Sequence, residues 1–224
     1  MAEPGAGPVR RLAAEAVGTG FLAMAIIGAG VMADGLTDDV ALVLLANMIA
    51  AAAALTVLIS LLGPISGAHL NPAVTLAFAL KRQIGPGAAI AYALAQIAGG
   101  LVGAVIAHLM FGLDPLSAGI HDRSGFGQFL SEGVATFGLV ATILLALAFR
   151  PAAVAALAGL YLASAYWFTA TASFANPAVT LARSLTATFT GIRPADAPAF
   201  IAAQLLGAAL AAVAVHWLAP AKAR

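Results

Sequence analysis

The heptapeptide Asn-Pro-Ala-Val-Thr-Leu-Ala occurs twice, at 71–77 and again at 176–182, in a chain otherwise made of long apolar runs. Each copy has the form of a helix start. Asn is a favoured N-cap because its side-chain oxygen accepts an orphan backbone N–H of the first turn. Pro directly after it lacks only an N–H that would go unpaired there. A polar-capped start inside apolar sequence is a broken element, and in a membrane such an element survives only where it packs on protein or lines a cavity. Two of them in corresponding halves of one chain point to a solute path near the bilayer midplane.

Composition supplies the membrane. Of the 224 residues, 62% are hydrophobic and 8% are charged, whereas soluble domains carry about 25% charged residues. A net charge of +1 speaks against a nucleic-acid partner. Cysteine is absent, and His69, His108, His121 and His216 show no ligand spacing, so neither a metal nor a cofactor is expected. No nucleophile–base pair suggests an enzyme.

Six stretches, near 11–33, 40–62, 86–111, 126–149, 152–170 and 197–218, reach the roughly 20 residues that cross about 30 Å of hydrocarbon. Breaks between them carry Gly, Pro and Asp, as at Gly63-Pro64. The segments from Pro72 to Lys81 and from Pro177 to about Thr186 are ten residues each, which as helices cover about 15 Å, half the bilayer. Further landmarks repeat in order. Glu15-Ala-Val-Gly-Thr19 echoes Glu132-Gly-Val-Ala-Thr136, and the surroundings of Gln96 echo those of Gln204. An odd number of spans per half makes the repeats, about 10–111 and 126–218, inverted within a single channel domain covering 1–224. Arg10, Arg11, Lys81, Arg82, Arg150, Lys222 and Arg224 fall on one side, and Arg123, Arg183 and Arg193 on the other. That asymmetry places both termini in the cytoplasm and the 112–125 loop outside.

Each half-helix carries about +0.5 charge at its N-terminus. Two such ends facing each other, built from Asn71, Pro72 and Ala73 and from Asn176, Pro177 and Ala178, form a barrier to cations. With the cap oxygens held by backbone N–H groups, the NH2 groups of Asn71 and Asn176 are free to point into the pore, as donors that cannot relay a proton. The preceding residues, Gly67, Ala68, His69 and Leu70 on one side and Ser173, Phe174 and Ala175 on the other, offer backbone carbonyls as a ladder of acceptors. Glu15 and Glu132 are intramembrane acids, costly unless partnered. They serve either as a proton relay or as braces for the loops before the half-helices. Their symmetric placement favours bracing, a role that Gln would be expected to keep. Gln96 and Gln204 read as polar contacts between helices.

The paired Asn-Pro-Ala motifs, the six spans and the stretch Ser66-Gly-Ala-His-Leu-Asn-Pro-Ala-Val-Thr75 resemble the aquaporin and aquaglyceroporin family over about residues 10–218. The resemblance implies an all-α membrane protein, a bundle of six transmembrane helices with two half-helices meeting at its centre. It further implies one pore per protomer, a homotetramer, and a multi-pass location in the cell's inner membrane. Most relatives carry Arg directly after the second Asn-Pro-Ala, where this chain has Val179. The other filter walls, transferred by spacing, are Ser173, one residue among Ala51–Ala53, and either Ser164 or, with a two-residue shortening, Tyr166. Lacking that Arg and a span-two aromatic, the filter is expected to be wide and apolar. Arg183, one turn beyond Val179, snorkels to the outer headgroups on the preferred reading and folds back over the vestibule on the other. The expected function is a passive channel for small uncharged solutes: water, glycerol-like polyols and neutral metalloids such as arsenite or methylated arsenicals. The last group rests on a likeness to an arsenical-permeable bacterial branch. The alternative is a secondary transporter with inverted repeats working through Glu15 and Glu132.

Overall fold

The structure, a computed structural model, describes residues 6–219. Among them there is no β-strand. The helices are α1 (Pro8–Asp34), α2 (Val40–Ser66), α3 (Pro72–Leu80), α4 (Pro86–Met110), α5 (Phe126–Phe149), α6 (Val154–Phe168, preceded by a 3-10 turn Pro151–Ala153), α7 (Pro177–Arg183) and α8 (Ala197–Leu218). Six segments are long and apolar enough to cross a membrane. Pro occupies the first turn of α1, α3, α4 and α7, where its fixed φ suits the helix and its missing N–H costs nothing. Asp39 caps α2, its Oδ1 accepting from the N–H groups of Ala41 (2.9 Å) and Leu42 (3.2 Å).

Two boundaries differ from expectation. The α2 helix continues through Gly63-Pro64 to Ser66, although Pro64 has no N–H to give the carbonyl four residues back. Gly67, at φ 93°, then closes it with an N–H bond of 2.9 Å to the Gly63 carbonyl, a conformation that costs glycine little. The α7 helix stops at Arg183, before the expected Thr186. The chain past Ser184 folds back there, and the Ile192 N–H reaches the Arg183 carbonyl at 3.2 Å.

The packing is duplicated. The α1 helix lies on α4 as α5 lies on α8, and α2 and α6 pack together. The half-helix α3 sits against α4 and α8, while α7 sits against α4, α8 and α1. The long crossings are backbone on backbone. A Cβ added at Gly99 would land on the Ala16 carbonyl, one at Gly103 on the Gly20 carbonyl, and one at Gly207 on the Gly133 carbonyl. Close approach of this kind supplies the van der Waals contact that holds helices together in lipid. Large apolar side chains such as Phe21, Val57, Leu94 and Val213 stand exposed on the outside of the bundle.

Candidate pore and filter

The two half-helices meet through their caps. Asn71 Oδ1 accepts the Ala73 N–H at 2.8 Å, and Asn176 Oδ1 accepts those of Ala178 at 3.0 Å and Val179 at 3.3 Å. The amide nitrogens then cross. Asn71 Nδ2 donates to the Ala175 carbonyl (2.7 Å), and Asn176 Nδ2 donates to the Leu70 carbonyl (2.8 Å). The NH2 groups are therefore not wholly free, as the sequence suggested. Each gives one hydrogen to the opposite loop and keeps one. Pro72, Ala73, Pro177 and Ala178 are buried in the first turns behind them.

The loops leading to the caps are wound into a left-handed conformation at matching places. Ala68, Leu70, Ala172, Ser173 and Ala175 have φ between 46° and 54°, each at a cost of about 1 to 3 kcal/mol that persists only when the surroundings over-determine it. Two carboxylates supply that constraint. Glu15 Oε1 accepts from Ser66 Oγ (2.6 Å) and the His69 N–H (3.0 Å), and its Oε2 from the Leu70 N–H (2.6 Å) and Gln96 Nε2 (2.7 Å). Glu132 accepts the N–H groups of Phe174 and Ala175, both at 2.9 Å, and Gln204 Nε2 at 2.6 Å. Donors surround both oxygens of each acid, so Gln, expected from sequence to keep the brace, would turn an NH2 toward a buried backbone N–H. Among the described residues, the carbonyls of Gly67, Ala68, His69, Ser173 and Phe174 accept no hydrogen bond. Those of Leu70 and Ala175 are taken by the crossed amides, which removes Ala175 from the free ladder.

A narrow cavity of about 30 Å³ runs past these groups. On its polar side stand His69, Asn71, Ser173, Phe174 and Asn176, and opposite them Leu22, Ile26, Leu55, Ile59, Leu139, Ile143 and Leu162, with Val74, Val179 and Tyr166 also on the wall. Of the expected filter residues, Val179 and Ser173 line this cavity. Tyr166 does as well, but Ser164 is exposed and bonds the Tyr161 carbonyl instead. Ala53 is also exposed, whereas Ala51 is fully buried on the face that carries Leu55 and Ile59. The reason is helix phase, since residues two apart on a helix point to different sides. The cavity is narrow, because the Tyr166 and Phe174 rings and seven Leu and Ile side chains of the spans crowd it. Tyr166 is held there by a 3.2 Å bond from its hydroxyl to Asn47 Oδ1, one turn before Ala51.

Arg183 does not snorkel. It is 3% exposed, its guanidinium carbon lies 3.2 Å from the centre of the Phe174 ring, and its Nε donates to the Thr190 carbonyl. Arg123 approaches the same ring at 5.1 Å and donates to the carbonyls of Gly191 and Thr171. Outside this layer the 112–125 loop is locked down. Arg193 pairs with Asp122 at 3.0 Å and with Asp196 at 3.1 Å, and Asp196 also accepts the Arg123 N–H at 2.9 Å. The Arg193 bond holds the Asp196 carboxyl below the usual carboxylate range. Asp122 is lowered too, first by the Ser124 hydroxyl and then by its backbone N–H.

Sequence reading missed Thr75 and Thr180. Each accepts from the glutamine that holds the glutamate (Gln96 at 3.0 Å, Gln204 at 2.8 Å) and donates to the carbonyl of its own cap Asn. Their identical place in the duplicated heptapeptide was the available signal. Tyr92, which donates to the Ser66 carbonyl at 2.9 Å, and Asn47 were missed as well. For the apolar wall there was no signal, because Leu and Ile look alike on pore-facing and lipid-facing sides.

Residues 6–152 match the family described as Major intrinsic protein. The chain is 56% identical over 209 residues, 93% of its length and 90% of the relative's, to aquaglyceroporin AqpS of Rhizobium meliloti strain 1021. It is 35% identical over 144 residues to aquaporin NIP1-2 of Arabidopsis thaliana, spanning 48% of that protein. The fold is similar to the X-ray structure of the aquaglyceroporin from Plasmodium falciparum, with a TM-score of 0.71 at 19% identity over 93% of this chain and 96% of that one.

Proposed function

The chain belongs to the major intrinsic protein family, and from that premise we propose that its pore passes water, glycerol-like polyols and neutral metalloids such as arsenite or methylated arsenicals. That it is a multi-pass membrane channel follows from the family and from the six apolar helices. The observation that carries the solute reading is the crossed pair of amides. Asn71 and Asn176 each hold one N–H in reserve beside a lane whose other wall is Leu and Ile. A hydroxylated neutral solute can accept from those amides and donate to the free carbonyls of Gly67, Ala68, His69, Ser173 and Phe174 as it advances. A cation meets two half-helix N-termini, and a proton finds amides that cannot pass it on.

The transporter reading has no observation in its favour. Glu15 and Glu132 are fully buried, their oxygens are occupied by donors, and neither lines the cavity. The same proposal includes inverted repeats, a homotetramer and an inner-membrane location with cytoplasmic termini. The duplicated packing supports the repeats. Lys222 and Arg224 lie outside the described residues, and without them five basic residues still face three. The test is stopped-flow measurement on proteoliposomes. Water, glycerol and boric acid should cross in proportion to their gradients and without regard to a pH gradient. Saturable or pH-driven flux, or permeability no higher than in empty vesicles, would overturn the reading.

A further inference from the structure

The outer mouth holds a cation whose partners are missing. Arg183 is 3% exposed, yet among the described residues no carboxylate oxygen lies within 4 Å of it. Among the described residues its one side-chain hydrogen bond runs from Nε to the Thr190 carbonyl. Its terminal nitrogens, which have no protein acceptor, are not among the buried unpaired atoms and so keep contact with solvent. The stem and Nε are out of water, and desolvating part of a charge costs free energy. The Phe174 ring at 3.2 Å offsets part of that through its π face. Glu132, on α5, is already committed to Phe174, Ala175 and Gln204. Arg123 adds a second guanidinium 5.1 Å from the same ring. Two hydroxyls nearby are also buried without partners, Ser173 Oγ on the pore wall and Thr190 Oγ1.

Free paired donors on a planar cation, a second cation and idle hydroxyls match one class of ligand, a small oxyanion that accepts through two oxygens at once. We propose that Arg183, backed by Arg123, is an oxyanion-receiving site at the outer mouth. Small monoanions such as dihydrogen phosphate dock there and obstruct the passage of neutral solutes. The site sits one turn beyond Val179, so it is not the filter position transferred by spacing. Inward of it, Val179, Leu22 and Leu162 give an anion no donors, which leaves it held at the mouth. This inference rests on the pore reading above.

The experiment is osmotic water permeability of proteoliposomes with external sodium phosphate at pH 6, against sodium chloride at matched osmolarity and ionic strength. At a phosphate concentration ten times its Kd, permeability of the wild type should fall about tenfold. Arg183→Gln should remove the inhibition. Arg183→Lys keeps the charge but loses the paired donors, and should need more phosphate. A second readout does not depend on flux: phosphate should raise the Tm of the detergent-solubilised wild type over the chloride control, and should not raise that of Arg183→Gln. Inhibition equal in wild type and Arg183→Gln, or neither inhibition nor a Tm shift in the wild type, overturns the site. Should Arg183→Gln fail to fold, unchanged inhibitory concentrations in Arg183→Lys and Arg123→Gln overturn it as well. Water permeability equal to that of empty vesicles overturns the pore reading, and the Tm comparison still decides the anion site.

Discussion

At the scale of single residues, Val179 and the two glutamates make the sharpest predictions. Val179 offers a passing solute no donor and no charge. Val179→Arg would add a fixed cation within a turn of Arg183 and fill the lane beside Tyr166, so it should lower the ratio of boric acid uptake to water permeability in the same vesicles. An unchanged ratio would remove Val179 from the constriction. Glu15→Gln and Glu132→Gln should each leave at least one buried backbone N–H unpaired, a loss of about 2 kcal/mol. Thermal unfolding checks this: both variants should melt below the wild type, and an unchanged Tm would mean that the carboxylates do not hold the loops. Much of this site could be read in advance, since Asn71, Asn176, Glu15 and Glu132 are polar residues in apolar surroundings, repeated in order. The choice between Ser164 and Tyr166 could not. It is a matter of helix phase, and a helix of Ala, Leu and aromatic residues carries no polarity that fixes the phase. The path of Arg183 was equally hidden, because its long stem reaches either the headgroups or the Phe174 ring.

Among the elements, the spans were visible because length and apolarity set them, and the half-helices because their caps interrupt that apolarity. The end of α7 was not visible, since it depends on how 184–196 returns over the half-helix, a tertiary matter with no local signal. Nor did the sequence say which glycines bring helices into contact. The structure singles out Gly103, whose missing side chain lets α4 touch α1 at Gly20. Gly103→Val should force the two helices apart at a cost of about 3 kcal/mol, read as a lower Tm and a smaller yield of protein that stays monodisperse in detergent. The same change at Gly85, where nothing stands within 4 Å, should leave both measurements near wild type.

For the whole molecule, the lock that Arg193 forms with Asp122 and Asp196 is the part that answers to pH. Asp122 and Asp196 both titrate below their ordinary range, so the stability they contribute is fully present above about pH 4 and is lost as pH falls through their lowered values. Protection factors across 112–125, taken against the intrinsic exchange rate at each pH, should be constant from pH 8 to 5 and fall below about pH 4, and Arg193→Ala should weaken that dependence. A pH response centred near neutrality would contradict this account. The crossed amides bear on a different matter, the order of events while the chain is being made. Asn71 is bonded to Ala175, 104 positions later, and Asn176 to Leu70, 106 positions earlier. When the ribosome has delivered α1 to α4, the first half-helix has its cap and its glutamate but nothing to receive its amide. The nascent first half must wait in the membrane with that end of the lane open, and it becomes a sealed filter only when the second motif arrives from the other side.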